Sequence, residues 1–126
     1  TSELFDDYEE GNFTATLNAT SGSFTLNAAL NSMSYTKIGR MVFITGMIAI
    51  SSSTATGTFF ELESLPFPAA DLGETSGRSA GMASLDSIGG VGVIGKILET
   101  NTKMRFTIDA STVTGNIYFN LNYVAA

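Results

Sequence analysis

The sequence predicts an all-β fold, an antiparallel β-sandwich of jelly-roll type with about eight strands. Three observations predict it. Apolar and polar residues alternate with period two in several short runs. Glycines punctuate the chain at short, irregular intervals. The polar stock is Ser, Thr and Asn, which compete with helical backbone hydrogen bonds, and the apolar stock is rich in Phe, Ile, Val and Tyr.

The elements follow in chain order. In residues 13–19, Phe13, Ala15 and Leu17 share one face, opposite Thr14, Thr16 and Asn18. In 24–30, Phe24, Leu26, Ala28 and Leu30 oppose Thr25, Asn27 and Ala29. Residues 57–62 read as a strand that ends near Pro66 and Pro68, whose rings force an extended backbone. Residues 81–85 and 91–98 read as strands joined by a turn at Asp86–Gly90. In 103–109, Met104, Phe106 and Ile108 oppose Arg105, Thr107 and Asp109; in 116–124, Ile117, Phe119, Leu121 and Tyr123 oppose Tyr118, Asn120 and Asn122. Each is the pattern of a strand with one face in a core and one in water.

The run Ser34–Ile50 is different, because both of its faces are apolar. Met41, Phe43, Met47 and Ala49 lie on one side of it, and Val42, Ile44, Ile48 and Ile50 on the other. Arg40 and the serines at 51–53 cut it well short of the roughly 20 apolar residues a membrane helix needs. The expected structure is the end of one strand at Tyr35–Ile38, a turn or bulge at Gly39–Arg40, and a central strand over Met41–Ile50. Its second face then needs cover from a neighbouring loop, the opposite sheet or another subunit.

Composition narrows the chemistry. The chain has 126 residues, a length that suits one domain with a real core. It has no Cys and no His, which excludes thiolate and imidazole nucleophile chemistry, disulfides and the usual zinc sites. Six basic residues against twelve acidic ones give a net charge of −6, the wrong sign for a phosphate-tracking surface. No cofactor, metal, nucleic acid or membrane insertion is expected, and no catalytic residue is assigned. The first residue is Thr and no charged-then-apolar leader follows, so the chain reads as an excised or processed domain. Residues 1–11 carry five acids and read as an arm leading in from an upstream segment; residues 12–126 read as the single β domain.

Several groups could carry chemistry, and each has a plainer reading. Asp6, Asp7, Glu9 and Glu10 could attract a hard cation but lack the alternating spacing of a calcium loop, so a solvated arm is expected. Glu61 and Glu63 sit two apart on one strand face; glycoside hydrolysis draws its carboxylates from elements facing across a cleft, so a solvent face is expected. Gly89, Gly90, Gly92 and Gly95 follow neither a dinucleotide nor a phosphate-loop spacing. Asn12 and Asn18 each begin a glycosylation sequon, which a chain this rich in Asn and Thr produces by chance. Tyr35, Tyr118 and Tyr123 are the aromatics that could reach the surface, with structural roles expected for each.

Three stretches together resemble a known module. Phe5–Leu17, FDDYEEGNFTATL, is similar to the L-D-D-Y-E-E-G-T-W/F-T-P-T-L opening of C-terminal domains in bacteriophage tail fibres and other virion structural proteins. Tyr35–Ile48 resembles their Y-x-K-I-G-N-x-V-x-x-x-G-x-I strand pair, and Leu65–Ala70 resembles the segment that follows, G-L-P-F. The departures are Ala15 for Pro, Arg40 for Asn, and Ser64 for the Gly that often precedes LPF. The resemblance implies a homotrimeric, jelly-roll-like head on a virion fibre, joined to an upstream shaft, acting outside the cell on a host-surface glycan or protein receptor. It supplies no catalytic residues. The two-sided strand meets this expectation, with Met41, Phe43 and Met47 as candidate subunit-interface residues. Asp71, Glu74 and Arg78, on a polar loop, are the candidate ligand contacts. The alternative is a purely structural trimerisation or capping module with no external ligand.

Overall fold

The computed structural model describes residues 7–73, 79–86, 89–98 and 100–126. Among them are ten strands: β1 (Tyr8–Thr14), β2 (Thr16–Ser21), β3 (Phe24–Leu26), β4 (Ser32–Ile38), β5 (Met41–Ser53), β6 (Thr56–Glu63), β7 (Ser79–Leu85), β8 (Val91–Ile97), β9 (Met104–Phe106) and β10 (Gly115–Val124). They make one antiparallel sheet in the order β1-β4-β5-β10-β7-β8-β9-β6-β2, with β3 paired to the far end of β5. β1 and β2 lie at opposite ends of that order, yet only Ala15 separates them in sequence. The covalent chain therefore brings the two ends together, and the sheet curls around a single core as the alternation predicts. Ala15 is fully buried at this corner, and its N–H donates to the Asn31 carbonyl at 2.9 Å.

The β4–β5 hairpin forms as expected. Ile38 pairs with Met41 across a two-residue turn, and Gly39 takes φ +60° at its first position, where only glycine is free of strain. On β5, Val42, Ile44 and Ile48 point into the core, while Met41 and Phe43 point out and stay 36% and 45% exposed. Further along, the backbone of Asn27 and Leu30 bonds to Ala49, filling the edge of β5 between β4 and β3.

Aromatic rings span the core. Phe60 of β6 stacks on Phe106 of β9 at 5.0 Å, Phe106 tilts against Phe119 of β10 at 5.7 Å, and Phe24 meets Phe60 edge-on. Phe106 lies so close to β8 that a Cβ on Gly95 would come within 2.4 Å of its ring. Gly81 of β7 pairs with Gly95 in register, and a Cβ there would meet Leu121 at 2.3 Å.

Leu65–Ala70 acts as a clamp. The Phe67 ring meets Tyr35 of β4 edge-on at 5.3 Å, and the Phe67 carbonyl accepts the buried Tyr123 hydroxyl of β10 at 2.9 Å. Ala69 bridges to Ala125, and Ala70 N–H donates to the Val124 carbonyl at 2.8 Å. Entry into the clamp requires φ +64° at Ser64, the position at which the resembling module often carries Gly. Arg40, the other departure of note, donates from Nε to the Ala125 carbonyl at 3.2 Å.

Some expectations change. The acid-rich segment 1–11 enters the sheet at Tyr8, where β1 pairs residue for residue with β4. Glu10 accepts the Tyr8 hydroxyl at 2.6 Å and Glu9 accepts that of Tyr35 at 2.8 Å. The strand expected over 24–30 stops at Leu26, because Asn27 Oδ1 accepts from Ala29 N–H and folds the chain into a turn, leaving Leu30 exposed. The strand expected through Asp109 stops at Phe106. Asp109 Oδ1 accepts from both Ser111 N–H and Ser111 Oγ, which starts a single 3₁₀ turn and holds its carboxyl below the usual carboxylate range.

Three measurements check this construction by denaturant unfolding. Ser64→Gly relieves the left-handed backbone and is expected to stabilise by about 0.5–1 kcal/mol; no gain would refute the strain. Gly95→Ala is expected to cost about 1–3 kcal/mol through overpacking against Phe106, and a neutral result would mean the ring can retreat. Burial pushes the Tyr123 phenol from 10.0 up to about 12, so its neutral form adds stability that is whole below pH 10.0 and lost as pH climbs towards 12. Tyr123→Phe should cost about 1 kcal/mol near neutral pH, where the hydrogen bond is lost, and the deficit should shrink above pH 10.0, because the wild-type phenol then ionises in the unfolded chain and phenylalanine has nothing to ionise.

Candidate functional site

The outward face of the sheet from β4 to β8 carries the interface candidates. Thr36 pairs with Phe43, and Phe43 with Asn122; beside them runs the row Ser34, Thr45, Asn120, Met82, Ile94. These rows contain no charged residue. Met82 is 53% and Ile94 72% exposed, and Tyr118, opposite Met47, is 45% exposed. A shallow depression between Met82, Ile94, Asn120 and Asn122 lies within the same face. The structure thus places Met41 and Phe43 on the open surface together, with Met47 half-buried beside Tyr118. The cover that the second face of β5 needs does not come from the described residues of this chain over Met41–Phe43.

The polar loop is less informative. Asp71 is exposed, and its Oδ1 accepts from Gly73 N–H at 3.2 Å in a local turn. Glu74 and Arg78 lie outside the described residues.

A charged cleft that sequence reasoning missed lies where β6, β9 and β8 meet. Glu61, Arg105 and Lys96 are direct partners across these strands. Arg105 donates from Nε and Nη2 to Glu61 Oε2, both at 3.2 Å, and its guanidinium lies 3.9 Å from the centre of the Phe59 ring. Glu61 is only 7% exposed, so it is no solvent-facing acid: the strand alternation places it outward, and Arg105 covers it. Lys103 pairs with Glu63 at 3.6 Å. Leu98 and Asn101 complete the walls of a cavity of about 190 Å³. The loop bearing them is tied to the clamp: Thr100 N–H donates to the Ala69 carbonyl, Ala69 N–H to Asn101, and Leu65 N–H to Thr102, at 2.9–3.0 Å. The sequence signal was a set of three cations at 96, 103 and 105, but their convergence with Glu61 depends on a pairing 44 residues long in sequence. Among the described residues, no group of three or more acidic, His or Cys side chains could hold a metal ion.

No family model matches the chain, and no curated protein does. Among solved structures it is similar to the Dettilon tailspike protein (gp208), with a TM-score of 0.60 and 18% identity over 94% of this chain and 24% of that one. It is also similar to the T1L reovirus attachment protein sigma1, solved in complex with alpha-2,3-sialyllactose, with a TM-score of 0.50 and 13% identity over 94% of this chain and 67% of that one. The chain therefore spans about a quarter of the tailspike's length and two thirds of that of the attachment protein. At these identities, what the chain shares with both is its fold.

Proposed function

We propose that the chain is a head domain of a virion fibre, a non-enzymatic module that assembles as a homotrimer and meets a receptor on the host surface. The observation that carries this reading is the group Met41, Phe43, Met82, Ile94 and Tyr118, exposed on the outward face in rows free of charge up to Lys96 of β8. Exposed apolar side chains gathered on one face among uncharged polar ones mark an interaction site, and Met and aromatic residues without charge are the composition of an interface core. A cyclic homotrimer would cover the face three times over with copies of one chain. The resemblance of Phe5–Leu17, Tyr35–Ile48 and Leu65–Ala70 to fibre-head motifs supports it. So does a fold shared with a phage tailspike and a viral attachment protein. In that assembly three weak receptor sites act together, so a millimolar contact per subunit suffices for attachment.

Light scattering on the purified chain tests the assembly. The expected mass is about three times the 13.2 kDa of one subunit. Phe43→Lys and Met82→Lys should each shift the population towards monomer, because a charge would be buried without a partner, while leaving the strand spectrum unchanged. A wild-type chain that stays monomeric at high concentration would overturn the trimer.

A further inference from the structure

We propose that the groove along the outward side of β1 and β4 binds a neutral hexose unit, with Tyr8 as the surface for its ring and Glu10 and Asn12 as the groups that hold its hydroxyls. The first argument is the set of side chains. Period two puts Tyr8, Glu10 and Asn12 on one side of β1, and the register sets Ile38, Thr36 and Ser34 of β4 beside them. Tyr8 is 50% exposed, and Glu10, Asn12 and Ser34 are exposed with it. An aromatic ring packs on the apolar face of a sugar. A carboxylate and an amide, both planar and two-pronged, match its neighbouring hydroxyls. The groove lies on the β1 flank of the outward face, separated from Met82 and Ile94 by β5 and β10.

The second argument is preorganisation. The Tyr8 hydroxyl donates to Glu10 Oε2 at 2.6 Å, a short charge-assisted bond that aligns ring and carboxylate and leaves Oε1 to accept from a ligand. Ser34 Oγ donates to the Thr45 carbonyl at 3.3 Å, which leaves its lone pairs as acceptors. Beneath the groove, Gly11 stands directly opposite Tyr35, and a Cβ on Gly11 would come within 2.9 Å of the Tyr35 hydroxyl. The ring thus takes the place of a side chain, and Glu9 and Phe67 hold it there. Groups fixed before a ligand arrives lower the ordering cost of weak binding.

The third argument is size and charge. The groove is shallow and measures about 410 Å³, within the roughly 300–1,000 Å³ of small-molecule sites. Among the described residues that line it, Glu10 alone is charged, so carboxylates and sulfates are repelled and a neutral donor of hydroxyls is favoured. The chain enters β1 at the hairpin end, where the Asp7 carbonyl accepts from Gly39 N–H at 3.0 Å, and Glu10 stands three residues, about 10 Å, further on. The choice of a saccharide rests on the fibre-head reading; the preference for a neutral polyol over an anion does not.

An amide NMR titration of the chain with glucose, galactose and mannose tests the proposal, with their uronic acids as the charged comparison. The expected result is saturable shifts at Glu10, Asn12 and Thr36 with at least one hexose, with a dissociation constant on the order of millimolar. The matching uronic acid should bind more weakly. Asn12→Ala should weaken the hexose about threefold to tenfold, the scale of one hydrogen bond, with solution mass and thermal midpoint unchanged. Glu10→Gln should abolish the preference for the hexose over its uronic acid, an effect that loss of a merely structural contact would not produce. No saturable shift with any of the three hexoses, or shifts confined to other strands, would overturn the site. Uronic acids that bind as tightly as the hexoses would overturn the preference for a neutral ligand. Solution mass reports separately on the fibre-head trimer, so a trimer that ignores all three hexoses refutes only the groove, and a monomer that binds one refutes only the trimer.

Discussion

The fold turns on the contact between the Phe106 ring and the backbone of Gly95. Gly95 and Phe106 are cross-strand partners on the neighbouring strands β8 and β9, and so large a ring fits on the core face there only if its partner gives up its side chain. Gly95 does so for Phe106, and its register partner Gly81 does so for Leu121. With that space made, Phe106 stacks on Phe60 and reaches Phe119, so that one column of rings ties β6, β9 and β10 together. Glycine in a strand interior is normally a weakness; here it leaves room for the large side chain of its cross-strand partner.

The Leu65–Ala70 clamp extends the same logic to the periphery. It joins Tyr35 and Tyr123 on one side to the 100–102 loop on the other, so the hairpin, the β10 strand and the charged cleft share one set of backbone bonds. The outward apolar face and the cleft are therefore held by a common frame.

Much of this was legible in the sequence, and the remainder was illegible for physical reasons. Period-two alternation revealed β10, residues 57–62 were read as a strand ending at the prolines, and the two-sided run 41–50 was read as a central strand whose second face needs cover, the face on which Met41 and Phe43 lie exposed. The ends of strands at Leu26 and Phe106 were not legible, because side-chain caps from Asn27 and Asp109 override the pattern that continues past them. β1 was hidden by its own acids: Glu9 and Glu10 are exposed, as their charge suggests, while their backbone pairs with β4. The cleft was hidden by distance along the chain, since Glu61 looks like a surface acid until β9 brings Arg105 beside it.

The position of β10 has a consequence for how the molecule comes into being. Residues 115–124 form not an edge but the strand between β5 and β7, the middle of the sheet. Until they have been synthesised, the long apolar β5 and the strand β7 present unpaired edges, the kind of template on which chains stick to one another. Every pairing that closes the core is also non-local, which makes folding slow. A chain without residues 115–124 therefore cannot close its core, and the β5 and β7 edges stay open to pairing with other chains.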